Sequence, residues 1–194
     1  FPAYFKTPTP GAANAEAYTA PTPVVSASEP RGYKTGAFTV ALSTTNVADE
    51  IWYTLDGSVP GTSSLRYAGP LTITQTTVLR AAVVDPETVW QHVTTLTWLF
   101  LEDILQQDSA PPPGWPASYE VNNHVMEYGM RQEIVTEDPT RLRQGMTNAI
   151  PSISLVTDLA NLFSAQRGIY VNPGNDGLAW ERPVSVELID PVQG

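Results

Sequence analysis

Three tryptophans are candidates for binding a ligand by ring stacking. Trp52 lies in a predicted strand, Trp90 in an acidic loop, and Trp115 in a proline-rich stretch. An exposed indole can stack on a sugar ring or bury itself against a neighbouring domain. Because 42% of the chain is hydrophobic and a second folded segment follows closely, interdomain packing is favoured over sugar binding. Trp115 is expected to pin its stretch to a domain face.

A turn-rich loop offers candidate metal ligands. Asn172, Asn175 and Asp176 carry side-chain oxygens of the kind that Ca²⁺ prefers. The same loop is rich in residues that tolerate positive φ, so an ordinary turn is the favoured interpretation. Zinc is not expected, because the chain has no cysteine and its two histidines, His92 and His124, are distant. No cofactor is predicted.

Catalytic patterns are missing from the sequence. Both histidines are expected to be exposed and non-catalytic, and no G-x-S-x-G elbow is present. No glycine loop for phosphate occurs, and the only lysines are Lys6 and Lys34. No carboxylate pair indicates a glycosidase, and Glu187 is expected to be a surface or hydrogen-bonding residue. The sequence therefore favours a non-catalytic role.

Composition narrows the possible partners and the class of fold. The net charge is -10 and the ten basic residues are scattered, so no nucleic acid partner is expected. No apolar run is long enough for a membrane helix, so no membrane insertion is expected. Eighteen prolines favour β structure, turns and linkers. The chain starts at Phe1 without a leader, which indicates an excised or processed piece.

Alternation of apolar residues predicts an antiparallel β-sandwich over residues 31–103. Ile51, Tyr53 and Leu55 alternate with polar or aromatic neighbours, and Asp56-Gly57 then predicts a tight turn. Similar alternation occurs from Phe38 to Leu42, from Leu71 to Val83 and from Val93 to Leu101. Turns every 8–12 residues are typical of a sandwich. Residues 1–30 are predicted to be a proline-rich arm, and residues 104–120 a stiff proline-rich junction.

The pattern changes in residues 121–194, which are predicted to form a smaller α+β segment. Asp138 as N-cap and Pro139 as the first residue predict a helix that carries Leu142, Met146 and Ile150. Asp158 is expected to cap a short helical turn over Leu159–Phe163. Strands are predicted at Ile150–Val156, Gly168–Val171 and Val184–Ile189. The predicted fold class is mainly β, a sandwich plus this segment.

The sandwich region resembles a known family. The residues that carry the resemblance are Arg31-Gly32-Tyr33, Ile51 to Pro60, Tyr67 to Leu71, and Thr76 to Ala81. They are similar to the immunoglobulin-like domain at the C-terminus of chitobiases and β-hexosaminidases, which also occurs in large secreted bacterial proteins. The resemblance implies an immunoglobulin-like sandwich with Tyr53 in its core and Trp52 facing outward.

Two further resemblances lie outside the sandwich. The segment from Tyr128-Gly129-Met130 to Trp180–Leu188 is similar to the opening of a CotH-type region, found in spore-coat proteins and atypical secreted kinases. That family commonly has Asp-Pro where this chain has Arg131-Gln132, and only its first portion is covered. Tyr4 to Asn14 is similar to the closing residues of lamin-tail-type β domains.

These patterns predict a structural, adhesion or spacer module of a large secreted or surface-anchored bacterial protein, located outside the cell or at its surface. Its expected partners are neighbouring domains of the same parent chain. One alternative is a carbohydrate-binding accessory module, in which Trp52→Ala weakens retention on insoluble glycans. A second is a fragment of a secreted CotH-like kinase. A third is a self-assembling subunit whose arm pairs with the sheet edge of another copy.

Overall fold

The short alternating runs of the sequence form strands in the computed structural model, which describes residues 22–85 and 91–191. The chain is mainly β within these residues. The strands are β1 Ser26–Ala27, β2 Gly32–Lys34, β3 Phe38–Val40, β4 Leu42–Ser43, β5 Ile51–Thr54, β6 Leu65–Arg66, β7 Leu71–Ile73, β8 Thr77–Val83, β9 Thr94–Phe100, β10 Ser152–Val156 and β11 Ser185–Ile189. The helices are α1 Leu101–Leu105, α2 Gln132–Glu137, α3 Pro139–Gln144 and α4 Leu159–Phe163. None of these helices has the length and apolar character that crossing a bilayer requires.

Strands β1 to β9 form the predicted sandwich. One layer is a five-stranded sheet of order β2-β9-β8-β5-β6, in which β2 runs parallel to β9 and the other neighbours are antiparallel. The other layer consists of the ladders β1–β4 and β3–β7. The run from Phe38 to Leu42 is interrupted because β3 pairs with β7 and β4 pairs with β1. Residues 22–30, assigned to the arm in the sequence, supply β1 to this layer, whereas residues 1–21 lie outside the described residues.

The core lies between the two layers and is centred on Trp98. Its buried members come from both layers and include Val40, Leu79, Ala81 and Trp98. The Trp98 ring meets the Phe38 ring edge to face at a centroid distance of 5.3 Å, and its Nε1 donates to the Pro30 carbonyl at 2.9 Å. Large aromatic side chains contribute most to such cores because each buries a large apolar area. Tyr53 is partly buried and packs against this cluster, as the family resemblance implied.

Asp56 and Gly57 form the predicted turn after β5. Gly57 has φ +80°, a conformation that an L side chain rarely adopts. Asp56 Oδ1 accepts hydrogen bonds from the Ser58 hydroxyl at 2.6 Å and the Ser58 amide at 3.0 Å. Thr54 Oγ1 donates to the Ser58 carbonyl at 2.6 Å. The carboxylate therefore organises the turn through a local Asx-type contact.

The Asp56 turn is expected to lose stability in acid. The Ser58 hydroxyl and amide hold the pKa of the Asp56 carboxyl below its ordinary value of 3.8. A group whose pKa is lowered on folding stabilises the protein above its unfolded pKa, and the effect disappears as the pH falls through the folded value. Asp56→Asn should reduce the drop in urea midpoint between about pH 6 and pH 3, an effect below about 1 kcal/mol for a surface group. A drop equal to that of the parent chain contradicts this expectation, and Asp176→Asn serves as control.

Residues 101–120 connect the sandwich to the C-terminal segment through a turn. Gly114 has φ +83°, and the Trp115 amide donates to the Pro112 carbonyl at 2.9 Å. A proline followed by a glycine of positive φ is the pattern of a type II turn. The junction predicted to be stiff over residues 104–120 therefore bends directly after its three consecutive prolines. Gly129 lies close to this connection, because a Cβ there would be 3.0 Å from the Ser109 amide nitrogen.

The C-terminal segment confirms some predicted elements and corrects others. Asp138 caps α3, accepting from the Arg141 amide at 3.0 Å, with Pro139 as the first helical residue. The helix does not continue to Ile150 as an α-helix, because residues Gly145–Ala149 form a π turn. Glycine at this point lowers the preference for a regular helix. Strands are present at β10 and β11, as predicted.

The predicted strand at Gly168–Val171 is wrong. Its amides turn back onto the end of α4 instead of forming a ladder: Ile169 donates to the Asn161 carbonyl at 2.9 Å and Tyr170 to the Leu162 carbonyl at 3.1 Å. The last carbonyls of a helix have no partner inside the helix, so a following segment can satisfy them. The apolar run Ile-Tyr-Val is therefore a C-terminal cap in this context.

Candidate functional site

The strands β10 and β11 form an antiparallel ribbon, here called the C-terminal ribbon, that lies against the sandwich. It contacts the outer face of the five-stranded sheet, which is the face opposite the core. Three pairs of hydroxyl groups join the two parts: Tyr33 Oη and Ser152 Oγ at 2.9 Å, Thr95 Oγ1 and Ser185 Oγ at 2.9 Å, and Thr97 Oγ1 and Ser154 Oγ at 2.7 Å. Polar side chains at regular strand spacing thus make much of the contact between the two parts, and the buried Val156 and Ile189 lie on the same face of the ribbon.

A buried carboxylate lies at the centre of this contact. Glu187 projects from β11 and only 5% of its surface is exposed. Its Oε1 accepts from the Thr97 amide at 3.2 Å, and its Oε2 accepts from the Thr97 hydroxyl at 2.5 Å. The Thr97 hydroxyl uses its one hydrogen in the bond to Glu187. In the bond between the Thr97 and Ser154 hydroxyls, Ser154 is therefore the donor. A buried carboxylate is tolerated only where hydrogen bonds replace its lost hydration, and both donors come from the sandwich.

A buried guanidinium forms a second polar contact at the end of the ribbon. Arg80 projects from β8 with 8% of its surface exposed, and its Nη1 donates to the Gly57 carbonyl at 3.1 Å. Asp158 Oδ1 is 3.7 Å from the same nitrogen and accepts from the Val59 amide at 3.2 Å. Burial lowers the pKa of Arg80 below its ordinary value, and the charge of Asp158 opposes that shift. The pair links the sandwich to the second residue after β10.

Asp158 performs a different task from the one predicted. It does occupy the position before α4, but its side chain makes no hydrogen bond to a helix amide. The carboxylate instead points to Arg80 and Val59 of the sandwich. A cavity of about 360 Å³ opens beside this pair and is also lined by His92, Asn161 and Ser185.

Trp115 anchors the proline-rich junction to the C-terminal segment. Its ring contacts the Phe163 ring at 5.5 Å and the Tyr128 ring at 6.0 Å, both edge to face. Tyr128 Oη donates to the Pro116 carbonyl at 2.7 Å, which holds the junction on the same aromatic cluster. Trp115 remains 39% exposed. These contacts are the arrangement expected of an anchor on a domain face.

The other two predicted platform tryptophans lie elsewhere. Trp52 is half-buried in β5 on the outer face, opposite Arg66 of β6 and Ala82 of β8. Its neighbours Ile51 and Tyr53 turn to the core, so Trp52 has the outward orientation that the family resemblance implied. Among the described aromatic rings, Trp52 and Trp115 make no contact with each other. Trp90 lies outside the described residues, and a role of these three residues in ligand binding stays a prediction.

The loop that carries the calcium candidates is tied together by its own side chains. The side-chain Nδ2 of Asn172 donates to the carbonyls of Ala165 at 3.2 Å and Gly168 at 2.9 Å. The Asn175 amide donates to the Asn172 carbonyl at 3.2 Å, which closes a turn. Within residues 22–85 and 91–191, no group of three or more His, Cys, Asp or Glu side chains could hold a metal ion. Calcium binding by Asn172, Asn175 and Asp176 stays a prediction.

The buried charges of the contact were not singled out as site residues in the sequence. The sequence does contain a local signal for each of them. Arg80 is the only charged residue of β8, and Glu187 is the only charged residue of β11. A single charge inside an otherwise neutral strand is often either exposed or paired across an interface. The identity of the partner requires the fold, because Thr97 and Glu187 are 90 positions apart.

The sandwich is similar to one known domain family. A model of the chitobiase/beta-hexosaminidase C-terminal domain matches residues 29–95, a range that begins just before β2 and ends inside β9. No curated protein and no solved structure shows significant similarity to the chain. The match ends before the C-terminal ribbon, and the CotH-type and lamin-tail resemblances stay predictions. The part of the chain between residues 29 and 95 is therefore similar to an accessory domain of glycosidases that has an immunoglobulin-like β-sandwich fold.

Proposed function

We propose that this chain is a non-catalytic structural module of a larger secreted or surface protein. In this role the sandwich supports the C-terminal α+β segment and fixes its orientation, and the partners of the module are neighbouring domains of the same parent chain. The observation that carries the proposal is the buried Glu187 carboxylate, which receives both of its hydrogen bonds from Thr97 of the sandwich.

The chemistry of the contact favours a fixed arrangement over a flexible tether. An apolar contact tolerates sliding, whereas Glu187, Ser154 and Ser152 find their partners only in one register. Leaving a buried polar group without its partner costs about 1–3 kcal/mol, so alternative registers are disfavoured. The two buried charges, Arg80 and Glu187, thus specify how the two parts sit together.

The similarity of residues 29–95 to a C-terminal domain of glycosidases supports an accessory role. Trp115 adds to the same picture, because it fastens the proline-rich junction to the C-terminal segment instead of leaving a free linker. The module would then hold its two neighbouring domains at a fixed distance and orientation. That is the property required of a spacer or adhesion support.

Hydrogen exchange of the intact chain tests this proposal. Thr97→Val removes the hydroxyl but keeps the shape of the side chain, so exchange in residues 152–156 and 185–189 should accelerate while exchange in β5 stays unchanged. Thr39→Val, at an exposed position of β3, is the matched control and should alter neither segment. Ribbon amides that exchange as freely in the parent chain as in Thr97→Val would contradict a fixed contact. Retention of the chain on insoluble chitin, abolished by Trp52→Ala, would instead favour the carbohydrate-binding alternative.

A further inference from the structure

The face of the C-terminal ribbon that points away from the sandwich is entirely aliphatic. Ile153 and Leu155 of β10 and Val186 and Leu188 of β11 are between 55% and 67% exposed. They form two directly opposed pairs, Ile153 with Leu188 and Leu155 with Val186. The ribbon therefore has the reverse of the usual arrangement, because the face that carries its three serines and Glu187 is turned inward and the entirely aliphatic face is turned outward.

The exposed area is large for a single chain. Val184, which precedes β11 and continues the alternation of Val186 and Leu188, is 50% exposed and extends the patch. The five side chains together expose on the order of 500–600 Å², at the upper end of the ~300–600 Å² of the largest patch on a typical monomer. A standard interface buries about 800 Å² on each partner. The patch thus supplies about two thirds of the area that one half of a standard interface needs.

The composition of the patch favours a second copy over an unrelated protein. None of the five side chains is charged or polar, and the interfaces of homodimers are more apolar than those of other complexes. The chain has a net charge of -10, so two copies repel each other, and the patch adds no charge of its own to that repulsion. An uncharged aliphatic face is where two such chains can meet with the least repulsion.

The pattern of the four central residues is also complementary to itself. The leucines, Leu155 and Leu188, occupy one diagonal of the ribbon face, and the β-branched residues, Ile153 and Val186, occupy the other. A two-fold axis that lies in the face along the strand direction places each leucine of one copy against a β-branched residue of the other. Long side chains then fit against shorter ones, which is how well-packed layers interdigitate.

We propose that the C-terminal ribbon is a self-association surface, through which two copies of this chain form a two-fold symmetric dimer with their aliphatic faces in contact. The interface is isologous, so each copy contributes the same residues. This inference goes beyond the structural role proposed above. It also fails independently of that role, because docking depends on the inner face of the ribbon and self-association on the outer face.

Sedimentation velocity of the intact chain over a range from about 1 to 200 µM tests the dimer. The parent chain should shift from 21.1 kDa towards twice that mass as its concentration rises. Leu155→Ser combined with Leu188→Ser should weaken the association at least tenfold. Leu65→Ser combined with Leu178→Ser removes two leucines that are 57% and 85% exposed but lie off the ribbon, so it should leave the association unchanged. Circular dichroism checks that each variant is folded.

Cysteine cross-linking provides a second test that does not weaken the interface. The chain has no cysteine, so a single substitution introduces a unique thiol. Leu155→Cys should form a disulfide-linked dimer under mild oxidation. Leu178→Cys should remain monomeric or form far less of the disulfide-linked dimer. A parent chain that stays at 21.1 kDa up to 200 µM overturns the proposal. So does a dimer that both serine variants weaken equally, or one that Leu178→Cys links as readily as Leu155→Cys.

Discussion

Replacing Trp98 with alanine is expected to lower the free energy of unfolding by about 3–5 kcal/mol. Trp98 is fully buried between the two layers of the sandwich and meets the Phe38 ring edge to face. The substitution leaves a large cavity, and it also removes the donor to the Pro30 carbonyl, which would then lack its partner. A domain of this size has only about 5–15 kcal/mol of stability in total. The substitution therefore removes a large part of that stability.

Urea unfolding followed by far-ultraviolet circular dichroism measures this loss without relying on tryptophan emission. Trp52→Ala is the matched control, since Trp52 is half-buried on the opposite face of the same sheet. Its removal exposes little new core and should cost about 1–2 kcal/mol. Equal losses for the two variants would show that the core is not centred on Trp98.

Replacing Glu187 with alanine is expected to destabilise the chain by about 2–3 kcal/mol. The carboxylate accepts from the Thr97 amide and hydroxyl in a buried setting, so its loss leaves two donors without their partner. Glu187→Gln keeps one oxygen and adds an amide group that can donate to the Thr97 hydroxyl. That variant should lose less than about 1 kcal/mol.

A double-mutant cycle with Thr97→Val isolates the interaction between the two residues. Because they are in direct contact, their effects should not add, and the coupling energy should be at least about 1 kcal/mol. Thr39→Val combined with Glu187→Ala is the control cycle and should be additive. Full additivity of Thr97→Val with Glu187→Ala would mean that the observed contact does not couple the sandwich to the ribbon.

The sandwich was predictable from the sequence because its signals are local. Alternation around Ile51 to Leu55 and the positive-φ residue Gly57 are set by the strand and turn themselves. The break near Ala41 was not predictable, because the alternation continues through it while the hydrogen-bonding partner changes from β7 to β1. Alternation records which side chains share a face and contains no information on the neighbouring strand.

The candidate site was less predictable because its partners are distant in sequence. The run Ser152 to Val156 does define two faces, but alternation alone would place the aliphatic face inward. The structure places it outward, since the serines and Glu187 find hydroxyl and amide partners on the sandwich. The conformation of Gly168–Val171 was not predictable for a similar reason. Its amides bond to carbonyls at the end of α4, and the apolar pattern of the segment does not indicate those partners.

The parallel pairing of β2 with β9 determines how the sandwich responds to mechanical load. β2 lies near the start of the sandwich and β9 at its end, and both run in the same direction. A force that pulls the two ends of the sandwich apart therefore acts along these strands in opposite senses. Their hydrogen bonds are then sheared together and not opened one after another, so rupture requires several bonds to fail at once. A sandwich pulled between its two ends would resist unfolding more strongly because of this geometry.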